Sequence, residues 1–231
     1  MRFDIIYEDN HLIAVNKPAG ALVQRDDTSD MAMSDLVKKY IKKKLDKPGD
    51  VFLGTIHRID RPVSGVTIYA RTSKALSRMN ELWRNKEVKK TYIALSHKNP
   101  EEFSGTLVHY ISKNEAKNRV NVFDKSKGDS KRSETKYQLL SRINNVFAFK
   151  AEPITGRSHQ IRAQFARMGC PLIGDLKYGA TMPLEDRSIG LHAYSIEFVH
   201  PVKKTPLKIV APPIKRPPWN FFDFNDKSFL D

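Results

Sequence analysis

Apolar residues in this chain recur at two different periods, and the periods divide it into elements. "HLIAVN" (11–16) is a short apolar run that reads as a strand ending at Lys17-Pro18. Met33, Leu36, Val37, Tyr40, Ile41 and Leu45 keep the i, i+3, i+4, i+7 spacing of one helix face. Ser29 or Asp30 would cap that helix, Pro48-Gly49 would end it, and its lysines would fall mainly on the outer face. "GVTIYAR" (65–71) alternates as a strand does, and a helix from about Thr72 to Asn85 follows, capped by Thr72 or Ser73.

Strand patterns then dominate: 90–96, 105–111, 119–123, 134–142 and 146–153, with Asn144-Asn145 as a hairpin turn between the last two. "SHQIRAQFARMG" (158–169) returns to the helical period, with Ile161, Phe165 and Met168 on one side and Gly169 as its stop. Strands at 191–200 and 207–212 precede a proline- and aromatic-rich tail, 213–231, either packed on the domain or free for interaction. Consecutive strands with a few flanking helices imply an α+β fold around a mixed, mainly antiparallel sheet. One domain over 1–231 is the economical expectation.

Composition narrows the function. No apolar run approaches the roughly 18–20 residues of a membrane span, and residues 1–20 lack a signal-peptide pattern. A single cysteine, Cys170, excludes an intrachain disulfide and a cysteine-rich metal site, so a cytoplasmic protein is expected. Forty Lys and Arg against 26 Asp and Glu give +14, a surface that attracts polyanions, of which nucleic acid is the commonest in a cytosol. The charge is clustered: six lysines against one aspartate in 36–48, and seven cations against three anions in 112–132. Such clusters suit phosphate tracking.

Candidate chemistry centres on "TIHRIDRPVSG" (55–65), where Asp60 sits between Arg58 and Arg61, beyond His57. In an extended stretch Arg58 and Asp60 share a face, and guanidinium neighbours favour the charged carboxylate. That suits a nucleophile or electrostatic stabiliser; a structural ion pair is the competing reading. In "PITGRSHQIR" (153–162), Arg157 sits where a helix begins and could meet a phosphate or a carboxylate. Tyr92, in "KKTYIAL", is either a base-stacking platform or a core residue. Lys17, in "NKPAG", could stand at a cleft rim. No Walker, Rossmann, kinase, zincin or serine-hydrolase motif is present, so neither a cofactor nor a metal is expected.

Taken in order, "VNKPAG", "HRIDRPVSG", "KKTYIAL", "PITGRSHQIR", "GCPLIGDLKYG" and "GLHAYSIEFVHP" resemble the RluA-type pseudouridine synthase family over about residues 5–212. The resemblance implies Asp60 as the catalytic aspartate and Arg157 as the arginine that pairs with it. It also implies Tyr92 as the tyrosine stacked on the target base, Arg58 as the residue filling the space of the flipped-out uridine, and Ile161 as part of the uridine pocket. His57, Lys17, Arg61, His159 and Arg162 join the expected RNA-binding set. The implied fold is one catalytic α+β domain with an RNA cleft. No S4 domain is expected, because "VNKPAG" already starts at Val15.

The family usually reads H-R-L-D-x-x-T-S-G. Here Ile59 and Val63 stand for Leu and Thr, the second losing a hydroxyl. The expected reaction is isomerisation of flipped uridine in an rRNA or tRNA stem-loop by a monomer. Asp60 would attack the base or stabilise the cleaved sugar. The alternatives are a non-catalytic RNA-binding or assembly protein of this fold, and a hydrolase pairing Asp60 with His57 or His159.

Overall fold

The computed structural model describes residues 3–28, 30–46, 48–116 and 118–224. In chain order its elements are β1 (Asp4–Glu8), β2 (Leu12–Lys17), α1 (Met33–Lys44), β3 (Gly54–Thr55), β4 (Ser64–Ala70), α2 (Ser73–Arg84), β5 (Lys89–Ser96) and β6 (Ser104–Asn114). There follow β7 (Arg119–Phe123), β8 (Lys131–Ile143), β9 (Val146–Pro153), α3 (Gln160–Arg167), β10 (Leu191–Val199) and β11 (Pro206–Val210), with short 3-10 turns at Leu176–Tyr178 and Trp219–Phe221. Every ladder between these strands with a described register is antiparallel. Leu22 and Ala32 form an isolated parallel bridge. The fold is α+β around a mixed, mainly antiparallel sheet, as the strand-rich pattern implied.

The chain divides into two compact units, residues 1–89 with 195–211, and residues 90–194 with 212–231. In the first, β2 pairs with β1 on one side and β4 on the other, from Leu12↔Ala70 to Lys17↔Gly65. Strand β2 is apolar on both faces because both are covered. Leu12, Ala14, Val66, Ile68 and Ala70 pack with Ala75 and Met79 of α2 and with Ile196, Phe198 and Ile209. Helix α2 starts where expected: the Thr72 hydroxyl accepts the Ala75 N–H at 3.1 Å.

Helix α1 departs from expectation at its start. Its N-cap is Ala32, not Asp30, and Ser29 lies outside the described residues. The orphan N–H groups of the first turn are met from elsewhere: Met33 and Ser34 donate to the Leu22 and Val23 carbonyls, and the Asp35 carboxylate accepts from Ala32. Met33, Val37 and Ile41 are buried, while Lys38, Lys39, Lys42 and Lys43 are exposed on the outer face.

In the second unit β5, β9, β8, β6 and β7 form consecutive ladders. The β8–β9 hairpin turns on Asn144 and Asn145, both left-handed at φ 50° and 59°, the signature of a type I′ turn. One sheet face carries Phe149 and Tyr137 against Phe165 of α3, at ring distances of 5.4 and 6.1 Å. The other carries Ile93, Leu95, Val146 and Ala148 against Ile173 and the tail residues Trp219, Phe222 and Phe224. The aromatic part of the tail is therefore core; its residues 225–231 lie outside the described set.

The cationic segment 112–132 includes strand: Ile111–Asn114 pairs with Arg119–Val122, and Lys131 opens β8. One expectation changes here. Helix α3 begins at Gln160 rather than 158, but it ends as read. Gly169, at φ 85°, donates to the Ala166 carbonyl while Cys170 donates to Phe165, a Schellman stop.

Candidate active site

The first unit presents Asp60 on a turn laid against a second turn. Ile56 and Ile59 are buried and anchor the segment, Arg58 is exposed between them, and Asp60 is half-buried. The Val63 N–H donates to the Asp60 carbonyl at 3.0 Å, and Gly65, the second residue of β4, has φ 117°, a left-handed value that explains the glycine. Val63 is itself 2% exposed, so the side chain that stands where the family has threonine is buried.

The opposing turn follows β2. Gly20 (φ 86°) donates its N–H to the Arg61 carbonyl at 2.7 Å and accepts from Arg61 Nε at 3.0 Å. Arg61 Nη2 also meets Asp30 at 2.7 Å. This guanidinium clasps the two turns to each other, a different task from the RNA contact expected of it.

Lys17 corrects the sequence reading more sharply. It was expected at a cleft rim, but its side chain is fully buried. Its ammonium donates to the carbonyls of Ala21, Pro18 and Arg61 at 2.8, 3.1 and 3.2 Å, which stitches the Asp60 turn to the "NKPAG" turn from beneath. Burial pushes its pKa down to about 7, opposed by the negative charge of Asp60 and reinforced by the positive charge of Arg61. A buried amine whose hold on its proton is weakened by burial and partly restored by Asp60 is thus built into the turn.

His57 is also an anchor. Its Nε2 accepts the Ile68 N–H of β4 at 3.1 Å, and its ring stacks on Trp83 of α2 at 5.0 Å and 18°. With Nε2 engaged by an amide donor, that nitrogen cannot activate water, which removes the His57 form of the hydrolase reading.

In the second unit, Tyr92 is half-buried while Ile93 points into the core. Tyr92 pairs with Ala151, two residues from Phe149 on β9, and so lies on the sheet face that α3 covers. Arg157 is exposed ahead of the helix, in a turn closed by Gln160 N–H to Arg157 C=O at 3.2 Å; its Nε reaches the Arg132 carbonyl at 3.3 Å. His159 adopts φ 50° and its Nδ1 lies 2.8 Å from the Tyr178 hydroxyl, which accepts the Val120 N–H. Ile161 is buried.

Arg162 requires correction. Expected on RNA, it is buried in a two-point ion pair with Asp175, Nε and Nη2 reaching the carboxylate at 2.7 and 2.9 Å. A guanidinium so enclosed holds α3 to the "GDLKYG" segment and presents no charge to a polyanion. Spacing in the sequence marks neither Asp175 nor Tyr178, because their partners Arg162, Val120 and His159 lie 13, 58 and 19 residues away. Among the described residues no group of three or more His, Cys, Asp and Glu side chains could hold a metal ion.

What these parts offer chemically is a carboxylate on a braced turn in one unit, and a tyrosine, an exposed arginine and a buried isoleucine grouped around β5 and α3 in the other. A sequence model of the family described as RNA pseudouridylate synthase matches residues 11–167, which include all four. The chain belongs to that family. Among its RNA pseudouridylate synthase relatives is the ribosomal large subunit pseudouridine synthase C of Vibrio cholerae serotype O1. It is 32% identical over 216 residues, covering 90% of this chain, and this chain spans 65% of that relative's length. The tRNA pseudouridine synthase C of the same organism is 30% identical over 226 residues, covering 90% of each chain. The structure of human RNA pseudouridylate synthase domain containing 4 superposes with a TM-score of 0.73 at 23% identity, covering 90% of this chain and 87% of the other, a likeness of fold.

Proposed function

We propose that this chain isomerises uridine to pseudouridine in structured rRNA or tRNA. The reaction breaks the N1–C1′ glycosidic bond, turns the base, and joins C5 to C1′; the C5 proton is lost and N1 gains one. Nothing is oxidised or reduced, so ordinary side chains suffice. The uridine must first leave its stack, which costs a few kcal/mol and least in loops.

The observation that carries the reading is the Asp60 turn, in which a family-matched aspartate is held by the "NKPAG" turn and underlaid by the Lys17 ammonium. Asp60 is proposed to act on the flipped uridine as a nucleophile or as the electrostatic partner of the cleaved sugar. Tyr92 as the stacking residue, Arg58 as the wedge, Ile161 as a pocket wall and Arg157 as the arginine that supports the aspartate are proposed on the strength of their motifs. The net charge of +14 and the exposed lysines of α1 support RNA as partner. Names of relatives that specify large-subunit rRNA in one case and tRNA in another support those two classes of target. No described helix is long and apolar enough to cross a membrane. The reading extends to a cytoplasmic monomer that acts without cofactor or metal.

The test is Asp60→Asn, which keeps shape and removes charge. Purified variant and parent are incubated with rRNA and tRNA transcripts, and pseudouridine is mapped by carbodiimide adducts. The variant should bind RNA with the parent's affinity and form no pseudouridine. Pseudouridine formation at the parent's rate would end the proposal.

A further inference from the structure

Gln160 lies inside "GRSHQIR", is uncharged, and is 4% exposed. Its carboxamide makes the four hydrogen bonds such a group can make. Oε1 accepts the Arg157 backbone N–H at 3.0 Å and the Thr155 hydroxyl at 2.7 Å. Nε2 donates to the Glu134 carbonyl at 3.0 Å and to Thr135 Oγ1 at 2.9 Å. The orientation of the amide is fixed by its partners, since a backbone N–H can only donate and a carbonyl can only accept.

The contacts continue as a chain. Thr155 Oγ1 accepts the Glu134 N–H at 2.9 Å, and Thr135 Oγ1 donates to the fully buried Gln164 at 2.7 Å. Gln164 Nε2 in turn donates to Leu107 of β6 at 3.0 Å. Strand β8 therefore holds the turn before α3 at several points. Arg157 is referenced to that strand twice: its N–H through Gln160 to residues 134 and 135, and its Nε directly to the Arg132 carbonyl at 3.3 Å.

We infer that Gln160 is a positioning residue for the uridine-isomerising reaction, setting the turn at 155–159 and with it the direction of Arg157. The inference rests on the proposed function, because it gives Arg157 a task whose geometry matters. An exposed arginine on a turn with a left-handed residue at 159 has many rotamers and backbone states; fixing the N–H and Nε to one strand removes most of them. A surface arginine with no task would need no such framework.

Gln160→Glu is nearly isosteric but replaces two donors with an acceptor, opposing the Glu134 carbonyl and Thr135. We expect kcat on an rRNA or tRNA transcript to fall about tenfold or more, as expected for a group misplaced by about 1 Å, with KM for RNA within about twofold of the parent. Thr155→Val, which removes the hydroxyl between Gln160 and Glu134, should lower kcat in the same direction, and Thr155→Ser should restore it. This pair decides the matter if Gln160→Glu does not fold. Parental kcat in both Gln160→Glu and Thr155→Val would overturn the inference, as would a loss of RNA binding in proportion to the loss of kcat. Asp60→Asn is assayed alongside: its activity would end the functional reading, whereas inactive Asp60→Asn beside fully active Gln160→Glu and Thr155→Val would end only this one.

Discussion

Replacing Lys17 by methionine probes the charge beneath Asp60 in a way that stability measurements can read. In the unfolded chain the ammonium holds its proton up to its ordinary value of 10.5, whereas burial lowers this to about 7 in the folded state. Between those values the unfolded chain binds one more proton than the folded one, so stability rises with pH. The cost of the buried charge is fully present below pH 7 and is lost by about pH 10.5. Integrated from pH 7 to pH 9, one such group adds about 2 kcal/mol of stability. Methionine removes that dependence but leaves the Ala21, Pro18 and Arg61 carbonyls without the Lys17 Nζ donor, at a cost of about 1–3 kcal/mol. The parent should therefore lead at pH 9, and its lead should shrink by about 2 kcal/mol at pH 7. Urea midpoints of both proteins at pH 7, 8 and 9 provide the test. Parallel pH profiles would show that burial does not lower the Lys17 pKa in the folded state.

Other perturbations follow from the same geometry. Arg162→Ala leaves Asp175 buried and unpaired, and should cost about 3–5 kcal/mol in urea denaturation; a loss below about 1 kcal/mol would place the pair in solvent. Replacing Lys38, Lys39, Lys42 and Lys43 together by glutamine should make the slope of log K against log salt shallower by about 3 if all four meet phosphates. An unchanged slope would move the RNA away from α1. Gly169→Ala, at φ 85°, should lower stability by about 1 kcal/mol, measured the same way, while leaving RNA binding unaltered.

Where the sequence could be read, the signal was local. Thr72 caps α2 through a residue three positions on, Asn144-Asn145 supplies the two left-handed residues of one turn, and Gly169 ends α3. Where it misled, the deciding partner was remote. The start of α1 is set by the Leu22 and Val23 carbonyls rather than by a capping side chain. Lys17 was assigned by its charge to a rim, yet its place is decided by a carbonyl 44 residues away. Arg162 likewise carries the same charge as Arg157, and only Asp175 distinguishes a buried brace from an exposed guanidinium. Strand β1 escaped notice because its five residues are interrupted by a bulge between Ile5 and Tyr7, which breaks the alternation. Among candidate site residues, Asp60, Tyr92 and Arg157 are singled out by motifs that keep order and wording, whereas the proposed positioning role of Gln160 rests on partners that the sequence does not display.

The central claim is that Asp60 carries out uridine isomerisation, and cells test it most directly. Pseudouridine is mapped across the transcriptome in cells lacking this protein, and again after restoring either the parent or Asp60→Asn at equal abundance. Modification at discrete rRNA or tRNA positions should disappear with the protein, return with the parent, and stay absent with Asp60→Asn. Restoration of those positions by Asp60→Asn, or an unchanged map on loss of the protein, would contradict it.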